Sequence, residues 1–275
     1  MAEPYDTINA IGSGPDYWWR FAGASATAVT NEGSEAALAW AETINDTADF
    51  TYQHSTNARG EANRGFHVGA SNLDAGIETP TALQNQDAKG TIMVVFRATS
   101  ASPVWPRWTA GVSDGNYDLH VNDFSCSAAG SLEYHIQDSG ADDERWNSTS
   151  NVSPAPSDQL HHSIAIVPPT GTSGNAELYY DGSVVAVTFD DFGADDVNNN
   201  HWMDNYSGEQ AHWGARPSVG GEDMTNLVVY EFLIWNERLT AQQVSDAHDV
   251  LFAANPFTTK TTRRVGRRLF SNQHD

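Results

Sequence analysis

The chain has little positive charge. Among its 275 residues 36 are acidic and only 14 are basic, and lysine occurs only twice, as Lys89 and Lys260. A net charge of −22 destabilises a compact state through self-repulsion at low salt, whereas near 1 M salt the Debye length is only about 3 Å. The composition therefore predicts a protein that folds and works in molar salt, in a halophile or in something that lives on one.

Cysteine and long apolar runs are also scarce. Cys126 is the only cysteine, which excludes an intrachain disulfide and a cysteine-based zinc site. The sequence lacks an apolar run long enough for a membrane-spanning helix, and its acidic N-terminal segment lacks the apolar core of a secretory signal. We therefore expect no membrane insertion. The acidic composition also argues against nucleic acid as the main partner.

The few basic residues concentrate at the end of the chain. The last sixteen residues are net +4 and the remainder is −26, with Asp275 as the one acid in this tail. The tail is either a solvated end or a segment that docks on an acidic protein surface, and we favour docking. The basic residues of the tail are Lys260, Arg263, Arg264, Arg267 and Arg268.

Short apolar or alternating runs recur between clusters of Gly, Asn, Asp, Ser and Pro, which predicts a β-sandwich or barrel. Predicted strands are Tyr17–Ala22, Gly65–Val68, Gly90–Ala98, Tyr117–Val121, Ser131–Ile136, His161–Val167, Ala176–Tyr180, Ser183–Phe189, Ala211–Ala215 and Leu227–Trp235. The last of these is almost wholly apolar, so we expect a central strand covered on both sides. Strict alternation would place Val229, Glu231 and Leu233 on one face. The other face would carry Tyr230, Phe232 and Ile234.

Local signals define a hairpin and a helix. Asp181-Gly182 is typical of a two-residue type I′ turn. Thr240 and Gln243 have the spacing of a capping box, and an apolar face follows them. A weaker helical pattern covers Glu35–Glu42. The residues of the apolar face are Val244, Ala247 and Leu251.

Seven motifs then follow one another in order: Trp18-Trp19-Arg20-Phe21, Gly65–Val68, Gly90–Arg97, Gln159–Val167, Glu177–Ala186, His212–Pro217 and Val228–Asn236. This order resembles the laminin-G-like, concanavalin-A-like jelly roll, although Leu160 stands where that family usually has Trp. The resemblance implies an all-β sandwich of two antiparallel sheets with a short C-terminal helix, spanning residues 17–257. Residues 1–16 would form an N-terminal arm and residues 258–275 a basic C-terminal tail.

The end of the chain resembles a narrower group. Asn255-Pro256-Phe257 precedes Arg263-Arg264 and Arg267-Arg268. Laminin-G-like proteins encoded by tailed phages and prophages often end in a similar way, with Trp in place of Phe257. The resemblance implies a virion protein of a tailed virus that infects a halophilic archaeon, folded in the host cytoplasm at high salt.

Signatures of catalysis are missing. Laminarinase-type hydrolases on this fold need E-x-D-x-x-E on one strand, and the sequence has no such run. The motifs G-x-S-x-G, H-E-x-x-H and G-x-x-x-x-G-K-[ST] are absent too. Glu133 and His135 share a strand face and could form an acid–base pair, but an ordinary solvent-facing pair is the better interpretation. We therefore predict no catalytic residue.

Two groups of residues are candidates for ligand contact. Carboxylates of the segment that follows the hairpin would suit Ca²⁺ or Mg²⁺, although in so acidic a chain a solvated loop is favoured and no cofactor is required. Tryptophans in polar stretches could stack on sugar rings or anchor an interface, or else plug sheet edges. The carboxylates are Asp190, Asp191, Asp195 and Asp196, and the tryptophans are Trp105, Trp108, Trp146 and Trp202.

Three functions remain open on these grounds. The favoured one is a non-enzymatic virion structural protein, a capsid turret or decoration or a tail-fibre module, which assembles as a trimer or pentamer with other virion proteins and displays its jelly roll to host surface glycans. The second is a polysaccharide lyase or hydrolase acting on host envelope glycans. The third is a free lectin-like adhesin.

Overall fold

The computed structural model describes residues 7–35, 37–42, 50–68, 76–79, 90–99, 108–111, 122–126, 130–137, 143–153, 160–168, 176–191, 210–214 and 227–252. Within these residues the chain forms two antiparallel sheets, a 3₁₀ helix (Ala26–Ala28) and the α-helix α1 (Ala241–Phe252). The predicted all-β sandwich of two sheets with a short helix is confirmed. None of the helices in the described ranges is long and apolar enough to cross a membrane.

Sheet 1 has the strand order β13-β12-β11-β6-β16-β4-β3, and β1 also pairs with β16. Its strands are β1 (Tyr17–Trp19), β3 (Phe50–Ser55), β4 (Arg64–Val68), β6 (Thr91–Ala98), β11 (His162–Val167), β12 (Glu177–Tyr180), β13 (Ser183–Val185) and β16 (Leu227–Trp235). Sheet 2 has the order β14-β10-β9-β8-β7-β15-β5-β2. Its strands are β2 (Ala41–Glu42), β5 (Gly76–Glu78), β7 (Trp108–Gly111), β8 (Asn122–Cys126), β9 (Leu132–Gln137), β10 (Asp143–Ser148), β14 (Val187–Asp191) and β15 (Gln210–Gly214).

One hydrophobic core lies between the two sheets. It joins rings of β1 and β16 to rings of sheet 2, including the stacked pair Trp19 and Phe232, whose ring centroids are 5.5 Å apart. Tyr134 and Trp146 contribute from the facing strands β9 and β10. Aromatic rings bury much apolar area each, so this inner layer accounts for the closure of the sandwich.

A second core covers the outer face of sheet 1. The apolar face of α1 packs there, and its cap is the predicted one: the Thr240 amide donates to Gln243 Oε1 at 2.8 Å and the Gln243 amide donates to Thr240 Oγ1 at 3.3 Å. Ile8 and Ile11 are buried in the same core. The described part of the predicted N-terminal arm, residues 7–16, is therefore packed against the sheet rather than extended from it.

The hairpin β12–β13 matches its prediction. Tyr180 pairs with Ser183, and the turn residues Asp181 and Gly182 have φ of 48° and 73°. Beyond it the chain departs from the expected single strand 183–189. The strand is interrupted at Ala186, so β13 completes sheet 1 and β14 completes sheet 2.

Strand β16 is buried on both sides, as predicted. The prediction that its side chains alternate strictly between the two faces of the sheet is wrong. The register against β6 shifts between Val229 and Glu231, which marks a bulge. Tyr230 lies in the outer core, and Glu231 next to it accepts a hydrogen bond from the outer-core residue Trp18. Phe232 then lies in the inner core. The bulge therefore puts two consecutive residues on the outer face of sheet 1.

Other expectations from the sequence are corrected or lie outside the described residues. The weak helix at Glu35–Glu42 is absent from its described part, where the chain is irregular before β2. Six strands were not predicted from the sequence: β2, β3, β5, β7, β8 and β10. The predicted strand Tyr117–Val121, the segment Asn255-Pro256-Phe257 and the basic tail lie outside the described residues.

Candidate ligand-binding face

Large apolar residues pair in register across seven strands of sheet 2, and three of them with described side chains, Ile77, Tyr134 and Trp146, belong to the inner core. Trp146 pairs with Phe189 on one side and with Tyr134 on the other, and the ring centroids are 5.1 Å and 5.3 Å away. The register continues over the remaining strands. In order the row is Phe189, Trp146, Tyr134, Phe124, Trp108, Trp213 and Ile77.

This row corrects the predicted contact residues. Trp146 is 0% exposed and belongs to the inner core, so the expectation that it touches a glycan or a neighbouring protein is wrong. Trp108 belongs to strand β7 instead of a loop, in register with Phe124 and Trp213. Trp105 and Trp202 lie outside the described residues.

Polar residues occupy the positions next to this row along each strand. Residues that pair directly across an antiparallel ladder share a face of the sheet, and neighbours along a strand alternate between faces. The positions next to the aromatic row therefore lie on the outer face of sheet 2. Across seven strands they are Asp190, Arg145, His135, Asp123, Thr109, His212 and Glu78.

A shorter polar row runs beside the first one. It consists of Thr188, Asn147, Glu133 and Ser125. The Asn147 amide donates to Asp190 Oδ2 at 3.3 Å, which ties the two rows together. Glu133, Arg145 and Asn147 are half-buried, and Asp190 is exposed. We call these two rows the polar face.

The polar face combines opposite charges with neutral hydrogen-bonding groups. Arg145 stands between Asp190 and His135 in register, and Asp123 follows His135. The described side chains of the polar face, among them Asp190, Arg145 and Asn147, offer donors and acceptors at a spacing of about 5 Å between strands. Hydroxyl-rich ligands need this mixture of donors and acceptors. Sequence reasoning identified the shared strand face of Glu133 and His135 but missed their neighbours, since strand register is invisible in one sequence.

Only two of the four carboxylates of the predicted ion site, Asp190 and Asp191, lie within the described residues. Asp190 and Asp191 are consecutive in the extended strand β14, so their positions lie on opposite faces of sheet 2. Asp195 and Asp196 lie outside the described residues. Across the described ranges, no group of three His, Cys, Asp or Glu residues is arranged to hold a metal. The Ca²⁺ or Mg²⁺ site stays a prediction.

A cavity of about 240 Å³ lies where β10 ends and the hairpin crosses between sheets. The amide of Thr149 donates to the carbonyl of Ala186 at 2.9 Å and holds this corner together. Val184 is 64% exposed at the mouth of the cavity, which makes it the most exposed large apolar side chain described. The polar lining residues include Ser150, Asn151, Ser153 and Ser183.

Comparison with known proteins identifies the fold. No protein-family model matches the chain, and no curated sequence matches it. The binding domain of botulinum neurotoxin DC, solved with rat synaptotagmin II, aligns with a TM-score of 0.56 at 11% identity, over 88% of this chain and 52% of that one. Our chain thus spans about half the length of the neurotoxin binding domain.

Domain 4 of AbnA, a GH43 extracellular arabinanase from Geobacillus stearothermophilus solved with arabinotriose, aligns with a TM-score of 0.55 at 13% identity, over 85% of this chain and 98% of that domain. Botulinum neurotoxin type C, which depends on interaction with two ganglioside molecules to enter cells, aligns with a TM-score of 0.55 at 11% identity, over 88% and 52% of the two chains. At these identities the likeness shows the jelly-roll β-sandwich fold.

Proposed function

We propose that the chain is a non-enzymatic virion surface protein whose jelly roll binds host surface glycans through the polar face. The observation that carries the binding part is a group of polar side chains on β14, β10 and β9, on the opposite face of sheet 2 from the buried rings of Trp146 and Tyr134. The group consists of Asp190, Arg145, Asn147 and Glu133. Two proteins with the same fold were solved with, or depend on, carbohydrate ligands, arabinotriose and gangliosides. That likeness supports the proposal at the level of the fold.

Placement on a virion rests on the sequence. The resemblance to phage-encoded jelly rolls rests on the ending Asn255-Pro256-Phe257 and the arginine pairs of the basic tail. A tail of net +4 on an acidic chain would dock on a neighbouring acidic virion protein. Assembly as a trimer or pentamer would repeat a weak glycan site several times and so raise the avidity of the particle. The basic tail, not the polar face, would then face the particle.

The binding test uses glycans of the host envelope and the full chain in about 2 M KCl, where exposed charges are screened. Arg145→Gln and Asn147→Ala each remove groups of the polar face. We expect Arg145→Gln to weaken binding by about tenfold or more, since a hydrogen bond to a charged group contributes about 1.5–3 kcal/mol. Asn147→Ala should weaken it less, by about two- to tenfold, because a neutral hydrogen bond contributes about 0.5–1.5 kcal/mol. Gln242→Ala, on the exposed side of α1, is the matched control. Wild-type affinity in both polar-face variants would overturn the assignment.

The same samples separate the alternatives. Shortening of the glycan by the wild-type chain, abolished by Glu133→Gln, would replace the proposal with a lyase or hydrolase. If purified virions do not contain the chain, the free lectin-like adhesin is the function that fits. If the chain without residues 258–275 still assembles on particles normally, the basic tail does not dock it.

A further inference from the structure

The cavity at one corner of the sandwich lies outside the polar face. It has a volume of about 240 Å³ and lies between the end of β10 and the hairpin β12–β13. We call it the corner cavity. Its lining is formed by residues 150–153, Tyr180 and residues 183–186.

Backbone hydrogen bonds fix the two walls of the corner cavity. The Thr149 amide donates to the Ala186 carbonyl at 2.9 Å, and the Val152 amide donates to the Gly130 carbonyl at 2.8 Å. The contact between Val152 and Gly130 is close, because a Cβ at residue 130 would lie only 2.9 Å from the Val152 carbonyl oxygen. The shape of the cavity is therefore set before a ligand arrives, which lowers the ordering cost of binding.

The inner side of the corner cavity is apolar. Tyr180 belongs to the inner core and is 5% exposed, and Val152 and Val185 pack against the same core. Tyr180 pairs with Ser183 across the hairpin, so the Ser183 side chain lies on this inner side too. A ligand ring that packs here removes apolar surface from water on both partners, which is favourable.

Uncommitted polar side chains surround this apolar side. Ser150, Asn151, Ser153 and Ser183 line the cavity and are exposed. In the part of the chain that the structure describes, none of these four side chains has a hydrogen bond or an ion pair to another residue. A hydroxyl both donates and accepts, and the asparagine amide offers donors and an acceptor. The rim is therefore able to bond a ligand without giving up a contact within the protein.

The lining carries no charge near neutral pH, although the chain as a whole has a net charge of −22. It consists of serine, asparagine, tyrosine, valine and alanine residues. An ionised group buried against this lining would lose water without gaining a partner of opposite charge, which is costly. Contacts between neutral groups also persist in molar salt, where exposed charges are screened. The cavity therefore favours a neutral ligand.

The size of the corner cavity limits the ligand to about one ring. Pockets that bury a drug-sized molecule have about 300–1,000 Å³, so a cavity of about 240 Å³ accommodates a smaller unit. A pyranose ring has a C–H face that packs on apolar side chains, and hydroxyls at its edge that donate and accept hydrogen bonds. This combination matches the apolar inner side and the polar rim of the cavity.

We propose that the corner cavity binds one neutral sugar unit and so forms a second glycan site at the edge of the sandwich. The C–H face of the sugar packs against Val152 and Val185, and its hydroxyls bond with Asn151 and Ser183 at the rim. The inference stands whether or not the polar face binds glycans.

The test follows backbone and side-chain amide resonances by NMR in the full chain in about 2 M KCl. Glucose, galactose and mannose are the neutral probes, and sodium glucuronate is the charged counterpart. We expect saturable shifts at Asn151 and Ser183 with at least one hexose, at a Kd on the order of 1–10 mM for a ring of about twelve non-hydrogen atoms. Glucuronate should bind about fivefold or more weakly, because the lining has no cation for its carboxylate.

Two results with the wild-type chain would overturn the proposal. The first is the absence of saturable shifts at the cavity with all three hexoses at about 100 mM, about ten times the highest expected Kd. The second is glucuronate binding as tight as hexose binding. A hexose affinity that changes less than about twofold between about 0.5 and about 3 M KCl supports recognition by neutral groups, and a larger fall contradicts it.

Variants show where the sugar binds. Asn151→Ala should weaken hexose binding about two- to tenfold, as loss of a neutral hydrogen bond predicts. Ser183→Leu should abolish it, because a larger side chain on the inner side fills the cavity. Gln242→Ala removes an exposed amide that does not line the cavity, and it is the matched control. Arg145→Gln tests independence: if it removed the hexose shifts at the cavity, the corner cavity would not be a site of its own.

A urea titration of each variant checks folding. Ser183 is exposed on the border strand β13, so we expect Ser183→Leu to fold. If Ser183→Leu is folded and binds hexose like the wild type, the proposal is wrong. Wild-type binding of host glycans by Arg145→Gln would count against the polar face alone, so the two proposals fail independently.

Discussion

The buried ion pair between Arg59 and Glu231 offers the sharpest test of the fold. Both side chains are nearly inaccessible, at 4% and 3% exposure. Glu231 also accepts a hydrogen bond from Trp18 Nε1 at 2.8 Å, and Arg59 Nη1 donates to the Leu251 carbonyl at the end of α1 at 3.3 Å. Burial alone would lower the pKa of Arg59, but Glu231 and Glu61 raise it overall. The pair therefore joins β1, β16, the 56–61 loop and the helix.

Glu231→Gln removes the charge and keeps the shape. Breaking a buried pair by removing one partner typically costs about 3–5 kcal/mol, because an uncompensated charge stays buried. Arg59 still has Glu61 at 3.3 Å, so we expect the lower end of that range, about 3 kcal/mol. Adding Arg59→Met should recover part of the loss, and the coupling energy between the two sites should be about 2 kcal/mol or more.

The assay is a double-mutant cycle from urea titrations, repeated at about 0.5 and about 3 M KCl. Bulk ions do not reach the buried pair, so its coupling energy should stay the same at both salt concentrations. The control cycle is the pair Arg238 and Glu177, with exposures of 23% and 45%, whose coupling should be below about 1 kcal/mol. A loss under about 1 kcal/mol for Glu231→Gln, or a coupling that disappears in salt, would refute this account of the outer core.

Three further predictions concern stability. Trp146→Ala should lower the free energy of unfolding by about 3–5 kcal/mol in urea titrations, since the ring is fully buried; a stable variant that only loses glycan binding would contradict this. Thr240→Ala should lower the free energy of unfolding by about 1 kcal/mol because it removes the helix cap, whereas the exposed control Gln242→Ala should leave that free energy almost unchanged. Burial lowers the pKa of His248, partly offset by Asp181 and Asp249 and reinforced by His162, so the folded state binds this proton less readily than the unfolded state. The urea midpoint should therefore stay constant at pH values above 6.5, the ordinary pKa of histidine, and should fall as the pH drops through the pKa of His248 in the folded state. His248→Gln should reduce part of that fall.

Elements with strong local signals could be predicted from the sequence. The Asp181-Gly182 turn, the Thr240 cap and the apolar strand β16 each depend on a few neighbouring residues, and each is confirmed. The order of these elements along the chain was enough to indicate the two-sheet sandwich. Their local chemistry and the global fold agree, as expected for a sequence that folds to one structure.

Features that depend on register could not be predicted. The bulge at Glu231 leaves no mark in the alternation of β16, where both faces are apolar. Strand β10 reads as a polar loop, so Trp146 was interpreted as exposed although both of its cross-strand neighbours are aromatic. The polar face arises only when distant strands pair, and one sequence does not specify that pairing.

The crossing at Ala186 bears on how copies of the chain can pack at high local concentration. The border strand β13 has three residues before the chain leaves for sheet 2, and β2 at the far border of sheet 2 has two. The border strand β3 is interrupted by its own register shift. These three borders give an incoming strand few consecutive backbone groups to pair with. The fourth border, β14, has five residues, and its Asp190 and Asp191 add the charge that discourages strand addition at an edge. We therefore expect crowded copies to meet through side chains on their faces, and to resist the strand addition that leads to fibres.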